Sequence, residues 1–351
     1  MKYLMAKKIF STALSGFYSR VETIGLESIP KNRPVLFIAN HSNAFVDPLL
    51  LASNLERPVT FTAKSTLAKN PLLNLIIKSF SVELLSRRID RKEYDTGRLA
   101  NVYALERLEM KLHNKGAVYI FPEGKSHNDA HLHEFKTGAA KLALSYMQNC
   151  NSVDDDSDLL VVPLGLIYSD KSMFRSTATI QLGEPLSLRA WCAVHPHANA
   201  NTLTQQFKSM VEGALATQKH VARQAALSVK APVHKSSLSS RFVRWEKALI
   251  GTPLGALGWL LNALPFALTA VMVRLLSSDH DHPASAAIVT GPPIFTLVHA
   301  LQLLSVGLYG SGFLMMLYLL ILIPSTVFSL KVFDRLFKSR SNAVGLQQFN
   351  V

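Results

Sequence analysis

Two long segments without Asp, Glu, Lys or Arg limit what this chain can fold into more than any other feature. Residues 248–273 contain none of these charges, and residues 283–330 extend for 48 residues without one. A membrane-spanning helix needs about 20 apolar residues, so the longer segment has room for two crossings. Buried helices of a soluble protein rarely reach such a length without a charge. We therefore predict membrane segments over 248–330, with a helical hairpin at 286–330.

The shorter segment is interrupted by Pro253, Asn262 and Pro265, so we expect it either to span the membrane or to lie in its interface. Basic residues precede this segment and follow the longer one. The positive-inside rule then places both flanks in the cytoplasm, which requires an even number of crossings. We favour a monotopic or re-entrant segment 248–273 beside the hairpin. The folded domain that precedes both segments is then expected on the cytoplasmic face.

The net charge of +13 is concentrated in three parts of the chain. The basic excess falls in residues 1–20, 219–247 and 331–340, and the remainder is neutral overall. Basic clusters beside membrane segments favour anionic lipid, by roughly 1 kcal/mol per side chain near the surface. Nucleic-acid binding would instead need a basic face with interleaved aromatic residues on the folded domain. We expect membrane lipids as partners and no nucleic acid.

The composition of three further segments indicates their place relative to the membrane and the folded domain. Residues 1–19 mix apolar side chains with Lys7 and Lys8 and predict an interfacial amphipathic helix. Residues 225–247 are interpreted as a basic linker, and residues 331–351 as a basic cytoplasmic tail. The chain has two cysteines, too few for a disulfide framework, so we expect a reducing compartment.

Residues 20–224 alternate between strand and helix patterns. Short apolar runs predict strands, and runs with helical periodicity predict helices between them. The strands are expected at 34–39, 117–121 and 159–167, and the helices at 97–113 and 138–146. Strands separated by helices predict an α/β layer fold.

His41 and Asp47 follow the first predicted strand, within the sequence Asn-His-Ser-Asn-Ala-Phe-Val-Asp-Pro. A His directly after a buried strand is well placed to act as a base, and a carboxylate can hold its imidazole in one tautomer. Six residues correspond to about 240° around an ideal helix, so the chain between the two side chains must turn. Asp47 also fits a helix N-cap, with Pro48 at the first helical position, and the two roles can coexist.

A second polar sequence, Phe-Pro-Glu-Gly-Lys-Ser-His, follows the strand at 117–121 and contains Glu123 and Gly124. A carboxylate and a glycine in a turn at a strand end suit the binding of hydroxyls or of an anion. The alternative is a Pro-Glu-Gly turn without a ligand.

A cluster of possible metal ligands follows within residues 127–134. It consists of His127, Asp129, His131, His133 and Glu134. This cluster keeps a metal-dependent lipid hydrolase open as an alternative function. The spacing matches no metal signature, and Asn-Asp favours a turn, so we interpret the segment as a solvated polar loop and expect no bound metal.

Four short blocks, taken together, resemble one family. They are Asn40-His41 with Asp47-Pro48, Arg-Arg-Ile-Asp-Arg at 87–91, Phe-Pro-Glu-Gly-x-Ser-His at 121–127 and Val-Pro-Leu-Gly at 162–165. In this order they resemble the blocks of the PlsC-like glycerolipid acyltransferase superfamily. The sequence is most similar to its glycerol-3-phosphate and dihydroxyacetone-phosphate 1-acyltransferase branch, over roughly residues 20–190. Five residues separate His41 from Asp47, where the superfamily usually has four.

This resemblance implies a PlsC-like α/β domain, a mixed sheet flanked by helices, with the membrane helices after it. It also implies a role for each matching residue. His41 would be the general base and Asp47 would orient it, while Glu123 and Gly124 would hold the acceptor. A guanidinium suits the acceptor phosphate, and the second block offers Arg88 or Arg87 without deciding between them. Lys64, after another expected strand, is a weaker phosphate candidate.

The implied reaction moves a fatty acyl group from acyl-CoA, or acyl carrier protein, to the sn-1 hydroxyl of glycerol 3-phosphate or dihydroxyacetone phosphate. It belongs to phospholipid biosynthesis and needs no cofactor besides the acyl donor. A lysophosphatidic acid or other lysophospholipid acceptor is an alternative within the family. A non-catalytic lipid-binding membrane protein is an alternative outside it. The sequence does not give the oligomeric state.

Overall fold

The structure is a computed structural model that describes residues 2–86, 94–127, 129, 131–150, 154–228, 238–277 and 283–348. The chain forms two compact units. The first contains Met1–Ser15, Val21–Tyr168 and Ala178–Val221. The second contains Gly16–Arg20, Ser169–Thr177 and Ala222–Val351.

Eight strands within the described residues form one sheet. They are β1 (Arg20–Ile24), β2 (Val35–Ala39), β3 (Thr60–Lys64), β4 (Ser81–Leu85), β5 (Ala117–Ile120), β6 (Leu160–Tyr168), β7 (Thr177–Leu182) and β8 (Leu186–Ser187). The strand order is β1-β7-β6-β2-β5-β3-β4, and β8 pairs with β6. The three strands predicted from the sequence correspond to β2, β5 and β6, with ends that differ by one residue.

Ten α-helices are described. They are α1 (Lys2–Phe17), α2 (Val46–Asn54), α3 (Pro71–Ser79), α4 (Tyr94–His113), α5 (Gly138–Asn149), α6 (Leu188–Val194), α7 (Ala200–Ser228), α8 (Leu238–Leu276), α9 (Pro283–Tyr309) and α10 (Gly312–Gln348). Helices between strands produce the α/β layer fold that the sequence predicted.

The central strands of the sheet are parallel. β2 pairs in parallel with β5 on one side and with β6 on the other, so Phe37 lies opposite both Tyr119 and Val162. β3 is parallel to β5 and to β4, whereas β7 and β8 are antiparallel to β6. The sheet is therefore mixed. Because parallel strands end at the same edge, the loops after β2, β3, β4, β5 and β6 all leave the sheet there.

The core forms where apolar helix faces cover the strands. β2 is buried along its whole length. One cluster joins Leu36 and Ile38 of β2 to Leu108 of α4, Ala140 of α5 and Phe207 of α7. Side chains of this kind stabilise a fold by roughly 1.5–3 kcal/mol each when fully buried. This packing fixes the strand ends that carry the polar loops.

Helix α1 confirms a helix at the amino terminus but packs differently from an interfacial helix. Phe10 and Leu14 are buried, the Phe10 ring contacts Phe80, and Lys7 Nζ donates to the Leu55 carbonyl at 2.6 Å. The expected membrane face is thus largely covered by protein. An interfacial role rests on exposed apolar side chains near its start, such as Leu4.

Helices extend into both ends of the predicted linker, as far as the structure describes them. Residues 225–228 extend α7, and α8 begins at Leu238. No proline or glycine interrupts residues 238–250, so helix continues through the basic residues that were assigned to the linker.

The second unit contains three helices that are long and apolar enough to cross a membrane. The candidate spans are Gly255–Leu276, Pro283–Tyr309 and Gly312–Lys331. The break between α9 and α10 falls at Gly310, inside the predicted hairpin. The segment interpreted as monotopic or spanning is a continuous helix with Pro253 and Pro265 inside it. Its length and composition suit a crossing, and the number of crossings stays a prediction.

A polar network joins these three helices. His299 Nε2 lies 3.2 Å from Asn262 Oδ1, and its Nδ1 lies 2.8 Å from Gln302 Oε1. The Tyr318 hydroxyl donates to Gln302 Oε1 at 2.7 Å, and Asn262 Nδ2 donates to Thr326 Oγ1 at 2.9 Å. Polar side chains that bond across apolar helices fix their mutual packing.

Arg175 joins three segments of the second unit. Its guanidinium forms a bidentate ion pair with Asp334, at 2.7 and 2.5 Å, and donates to the carbonyls of Gly16 and Tyr18. The Arg175 side chain is 10% exposed, and its φ of +65° is uncommon for a residue other than glycine. The surrounding bonds hold this backbone conformation in place.

Candidate active site

The loop after β2 is anchored by Asn40. Its Nδ2 donates to the Leu166 carbonyl at 2.9 Å, and its Oδ1 accepts from the Leu166 N–H at 2.7 Å. Both bonds are buried and cross from β2 to β6. The residue before His41 is thereby locked to the neighbouring strand.

His41 lies next in the chain and meets Asp47, as the sequence predicted. Its Nδ1 is 2.9 Å from Asp47 Oδ2. The imidazole stacks on the Phe121 ring, with centroids 3.8 Å apart and planes 18° apart, and its side chain is 15% exposed. When Nδ1–H donates to the carboxylate, Nε2 is the unprotonated nitrogen of the neutral ring. This is the arrangement of a general base with an orienting carboxylate.

The Asp47 carboxylate is fully buried and saturated with donors. Oδ2 accepts from the N–H groups of Ser42 at 2.9 Å and Asn43 at 2.8 Å, besides His41. Oδ1 accepts from the Tyr168 hydroxyl at 2.5 Å. These bonds stabilise a buried negative charge that would otherwise be costly. Asp47 thus holds both the imidazole and the loop that carries it.

The N-cap role considered for Asp47 is wrong. Helix α2 begins at Val46, after Phe45, so Asp47 lies inside the first turn. Its carboxylate turns back toward the preceding loop because the donors of residues 41–43 are there. The chain between His41 and Asp47 turns as required: the Asn43 carbonyl accepts from Val46 N–H at 2.8 Å, and Ala44 has a φ of +32°.

Glu123 links the loops after β2 and β5. Its Oε1 accepts from the His41 N–H at 2.7 Å, and its Oε2 accepts from the His133 N–H at 3.0 Å. Oε2 also contacts His127 Nε2, and the carboxylate is fully buried. Both oxygens are therefore occupied by protein donors. The structure places Glu123 as a support for the His41 backbone, a role that its motif alone did not indicate.

Gly124 forms the turn after β5. Its φ is +73°, a conformation that favours glycine. Its N–H donates to the Phe121 carbonyl at 3.0 Å, and a Cβ at this position would lie 2.7 Å from Lys136 Nζ. The glycine is thus required by the backbone conformation of the turn, whereas the flexible Lys136 side chain could move aside.

Of the three remaining predicted site residues, the structure describes one. Lys64 is the last residue of β3, partly buried and at the same sheet edge as His41. Arg87 and Arg88 lie outside the described residues, after the end of β4. Their assignment to the acceptor phosphate stays a prediction.

Three contributors were not predicted from the sequence as functional residues. Asn40 and Phe121 belong to blocks that were recognised in the sequence. However, Asn40 bonds to Leu166, and Phe121 stacks on His41; both contacts join distant parts of the chain. Tyr168 lies 121 residues from Asp47. Its only signal in the sequence is a position at the end of a buried strand.

Tyr119 lies in the interior, where the charges of the two carboxylates reach it. It is fully buried, and its hydroxyl has no hydrogen-bond partner among the described residues. Burial raises the pKa of Tyr119 well above its ordinary value, and the charges of Asp47 and Glu123 raise it further. This tyrosine therefore stays neutral at any physiological pH.

The Acyltransferase family model matches residues 20–167. Those residues hold the His41–Asp47 pair and the Glu123 turn described above. This part of the chain therefore matches the acyltransferase family, in agreement with the resemblance of the four blocks.

Individual relatives agree with this family. The chain is 37% identical over 109 residues to glycerol-3-phosphate O-acyltransferase 2 of Saccharomyces cerevisiae, covering 31% of this chain and 14% of the yeast protein. It is 27% identical over 145 residues to 1-acyl-sn-glycerol-3-phosphate acyltransferase of Borreliella burgdorferi, covering 41% and 54%. The crystal structure of PlsC from Thermotoga maritima is similar with 19% identity and a TM-score of 0.43, covering 66% of this chain and 81% of that one. The chain spans about half or less of the length of the two curated relatives.

Proposed function

We propose that this chain is a membrane-bound O-acyltransferase of glycerolipid synthesis that acylates the sn-1 hydroxyl of glycerol 3-phosphate or dihydroxyacetone phosphate. Acyl-CoA or acyl carrier protein is the donor. The observation that carries the proposal is the hydrogen-bonded His41–Asp47 pair at the carboxyl edge of the sheet, 2.9 Å apart. Its position in a PlsC-like domain supports acyl transfer to an alcohol.

The reaction needs a base because an alcohol is a poor nucleophile at neutral pH. His41 Nε2 takes the hydroxyl proton as the acceptor oxygen attacks the thioester carbonyl, and Asp47 stabilises the resulting imidazolium. Collapse of the tetrahedral intermediate breaks the C–S bond, and the imidazolium returns the proton to the leaving thiolate. No covalent acyl-enzyme is required. A positioned base of this kind contributes typically about 10²–10⁴-fold.

The remaining roles divide between support and binding. Glu123 supports the His41 backbone, since both of its oxygens accept protein hydrogen bonds. Arg88 or Arg87 binds the acceptor phosphate, with Lys64 as a further cation at the same sheet edge. Gly124 holds the turn beside the acceptor.

The apolar helices and basic flanks support a reaction at a membrane. Many leucines of the candidate spans are exposed, for example Leu260 at 73% and Leu275 at 73%, as expected for side chains that contact lipid. We place the catalytic domain on the cytoplasmic face, where the flanking cations meet anionic lipid. Such a location suits a reaction whose donor and product are both amphiphiles.

A second acceptor is supported by the relatives. The Borreliella protein is named for 1-acyl-sn-glycerol 3-phosphate, and so are the Arabidopsis thaliana and Brassica napus relatives. Lysophosphatidic acid carries the same phosphate but offers the sn-2 hydroxyl. It is the alternative acceptor for the same base.

The test is acyl transfer by the full chain reconstituted in lipid nanodiscs. Labelled glycerol 3-phosphate, dihydroxyacetone phosphate and lysophosphatidic acid are each supplied with long-chain acyl-CoA, and then with acyl carrier protein as donor. We expect glycerol 3-phosphate or dihydroxyacetone phosphate to give the fastest transfer, at least 100-fold lower in His41→Ala.

His197→Ala is the matched control, because this exposed histidine lies outside the site. It should retain full activity. Transfer to lysophosphatidic acid alone would replace the proposed acceptor by the alternative. Transfer to none of them by a folded, lipid-embedded protein would contradict the proposal, and ester hydrolysis in its place would support a hydrolase.

A further inference from the structure

A cavity beside the Glu123 turn is lined by lysine side chains from three separate segments. Its volume is about 460 Å³, within the range of about 300–1,000 Å³ that is usual for small-molecule sites. Lys125 comes from the turn after β5, Lys136 from the residues before α5, and Lys208 from α7. The other lining residues are Glu123, His131, Leu132, His133 and Glu134.

Within the described part of the chain, none of the three lysines has an anionic partner. No described residue forms an ion pair with the amino group of Lys125, Lys136 or Lys208 or accepts a hydrogen bond from it. Lys208 is nevertheless partly buried. Ammonium groups that converge on a concave surface without a counter-ion attract anions, and phosphate oxygens are acceptors that lysine commonly binds.

The two carboxylates that line the cavity oppose an anion only weakly. Glu123 Oε1 accepts from the His41 N–H and Oε2 accepts from the His133 N–H, so protein donors already stabilise its charge. Glu134 is exposed, and its charge is therefore screened by water and salt. Since three lysines face these two acids, the cavity favours a ligand with several negative charges.

The cavity lies on the side of the sheet that α5 and α7 cover, away from the His41 imidazole. Leu132 lines the cavity and packs against the core cluster that contains Ile120 of β5. Tyr119, the neighbour of Ile120 in the strand, points to the opposite face. Its ring contacts Phe121, with centroids 4.6 Å apart, and the His41 imidazole stacks on that same Phe121 ring.

This separation distinguishes between the substrates of the proposed reaction. In glycerol 3-phosphate the reacting hydroxyl and the phosphate are close together, so a hydroxyl at His41 keeps its phosphate near the imidazole. In acyl-CoA the long, flexible pantetheine arm separates the thioester from the diphosphate and the ribose 3′-phosphate. The donor can therefore place its phosphates in the cavity while its reactive carbon reaches His41.

The shape of the site favours acyl-CoA over an acyl carrier protein. A protein donor needs a broad interface, of about 800 Å² on each partner, whereas these lysines converge on one concave site. Leu132 and the exposed ring of His131 also line the cavity. An apolar side chain and a flat ring suit the purine of a nucleotide.

We propose that Lys125, Lys136 and Lys208 bind the diphosphate and the ribose 3′-phosphate of acyl-CoA. The purine packs on Leu132 and His131. This inference rests on the proposed acyl transfer and names its donor. It leaves the acceptor phosphate to the separate cations assigned above.

The first test is binding of labelled adenosine 3′,5′-bisphosphate to the full chain in nanodiscs of phosphatidylcholine, a lipid without net charge. This probe carries phosphates but no thioester, so binding is measured whether or not acyl transfer occurs. We expect one saturable site. Lys125→Gln, Lys136→Gln and Lys208→Gln should each weaken binding about tenfold, and the variant that carries all three should show no saturable binding.

Lys141→Gln is the matched control, because Lys141 is an exposed lysine of α5 outside the cavity. It should bind the bisphosphate like the unaltered protein. Lys208→Arg keeps the charge and should retain binding within threefold, which separates the charge of Lys208 from a structural role. Absence of saturable binding to the unaltered protein, or equal binding by the triple variant, would overturn the proposal.

The second test is the KM of each substrate in the nanodisc assay. Lys136→Gln and Lys208→Gln should raise the KM for acyl-CoA about tenfold and leave the KM for the acceptor within twofold. A higher KM for the acceptor alone would overturn the proposal in favour of an acceptor phosphate site, and an effect confined to acyl carrier protein would overturn it in favour of a protein donor. If the chain binds the bisphosphate through these lysines but transfers no acyl group, the proposed function fails and the nucleotide site stands.

Discussion

Replacing Asp47 with Asn removes one negative charge from the site and keeps the shape of the side chain. The carboxylate accepts three bonds at Oδ2, from His41 and from the N–H groups of residues 42 and 43, and one at Oδ1 from Tyr168. An amide oxygen in the Oδ2 position retains the first three. The Tyr168 hydroxyl can rotate and accept from the amide nitrogen. The substitution therefore tests the negative charge of Asp47 alone, because the hydrogen bonds that hold the loop are kept.

The size of the effect follows from the distance between the charges. His41 Nδ1 lies 2.9 Å from Asp47 Oδ2, and the delocalised charges of an imidazolium and a carboxylate are about 4 Å apart in such a pair. Their attraction is roughly 4 kcal/mol at an effective dielectric constant of about 20. The imidazolium forms only as the proton is transferred, so this stabilisation applies to the transition state. We expect kcat to fall about 10³-fold, with KM for the acceptor nearly unchanged.

The assay compares initial rates in nanodiscs over a range of acceptor concentrations, with thermal unfolding as the test of folding. Tyr168→Phe is the milder comparator, because it removes one bond to the carboxylate and leaves the charge; a decrease of about tenfold is expected. The double variant with His41→Ala should be no slower than His41→Ala alone, since the pair acts as a unit. A kcat for Asp47→Asn within threefold of the unaltered protein would refute the charge argument.

Three further substitutions test the support of the site and of the apolar helices. Asn40→Ala breaks two buried bonds to β6 and should lower the free energy of unfolding by about 2–4 kcal/mol in chemical denaturation; a loss below about 1 kcal/mol would contradict the anchoring role. Tyr119→Phe removes a hydroxyl without a described partner. The free energy of unfolding should therefore change by less than about 0.5 kcal/mol, and kcat by less than about twofold; a larger loss of either would reveal a bound water or ligand. Arg175→Ala should destabilise by about 3–5 kcal/mol, and more than Asp334→Asn, because the arginine also binds two carbonyls; equal thermal shifts would show that only the ion pair matters.

The sequence predicted the features that are encoded within a short stretch. The turn between His41 and Asp47 followed from their spacing, and the α/β layer fold followed from alternating strands and helices. Glu123 was recognised as a site residue for the same reason, since Pro and Gly on either side mark its turn. These predictions needed only neighbours in the chain.

Contacts between distant segments could not be predicted in this way. Asn40 meets a strand 126 residues away, and the saturation of Glu123 depends on how the loop at 127–133 folds back. The N-cap assignment of Asp47 failed because the sequence Asp-Pro before a helix is the same whether the carboxylate caps that helix or accepts hydrogen bonds from the preceding loop. The covered face of α1 was missed because periodicity shows that a helix has an apolar side but not what lies against it.

Asn262 makes α8 a poor membrane helix by itself. In a bilayer crossed by α8, the Asn262 amide would at first have only the Gly258 carbonyl of its own helix as a partner. The atoms that His299 and Thr326 bind in the structure would lie in hydrocarbon without them, which is costly. Those partners belong to α9 and α10, which the ribosome makes later. If α8 crosses the bilayer, its insertion should be favoured only once the hairpin has been synthesised and these partners are present.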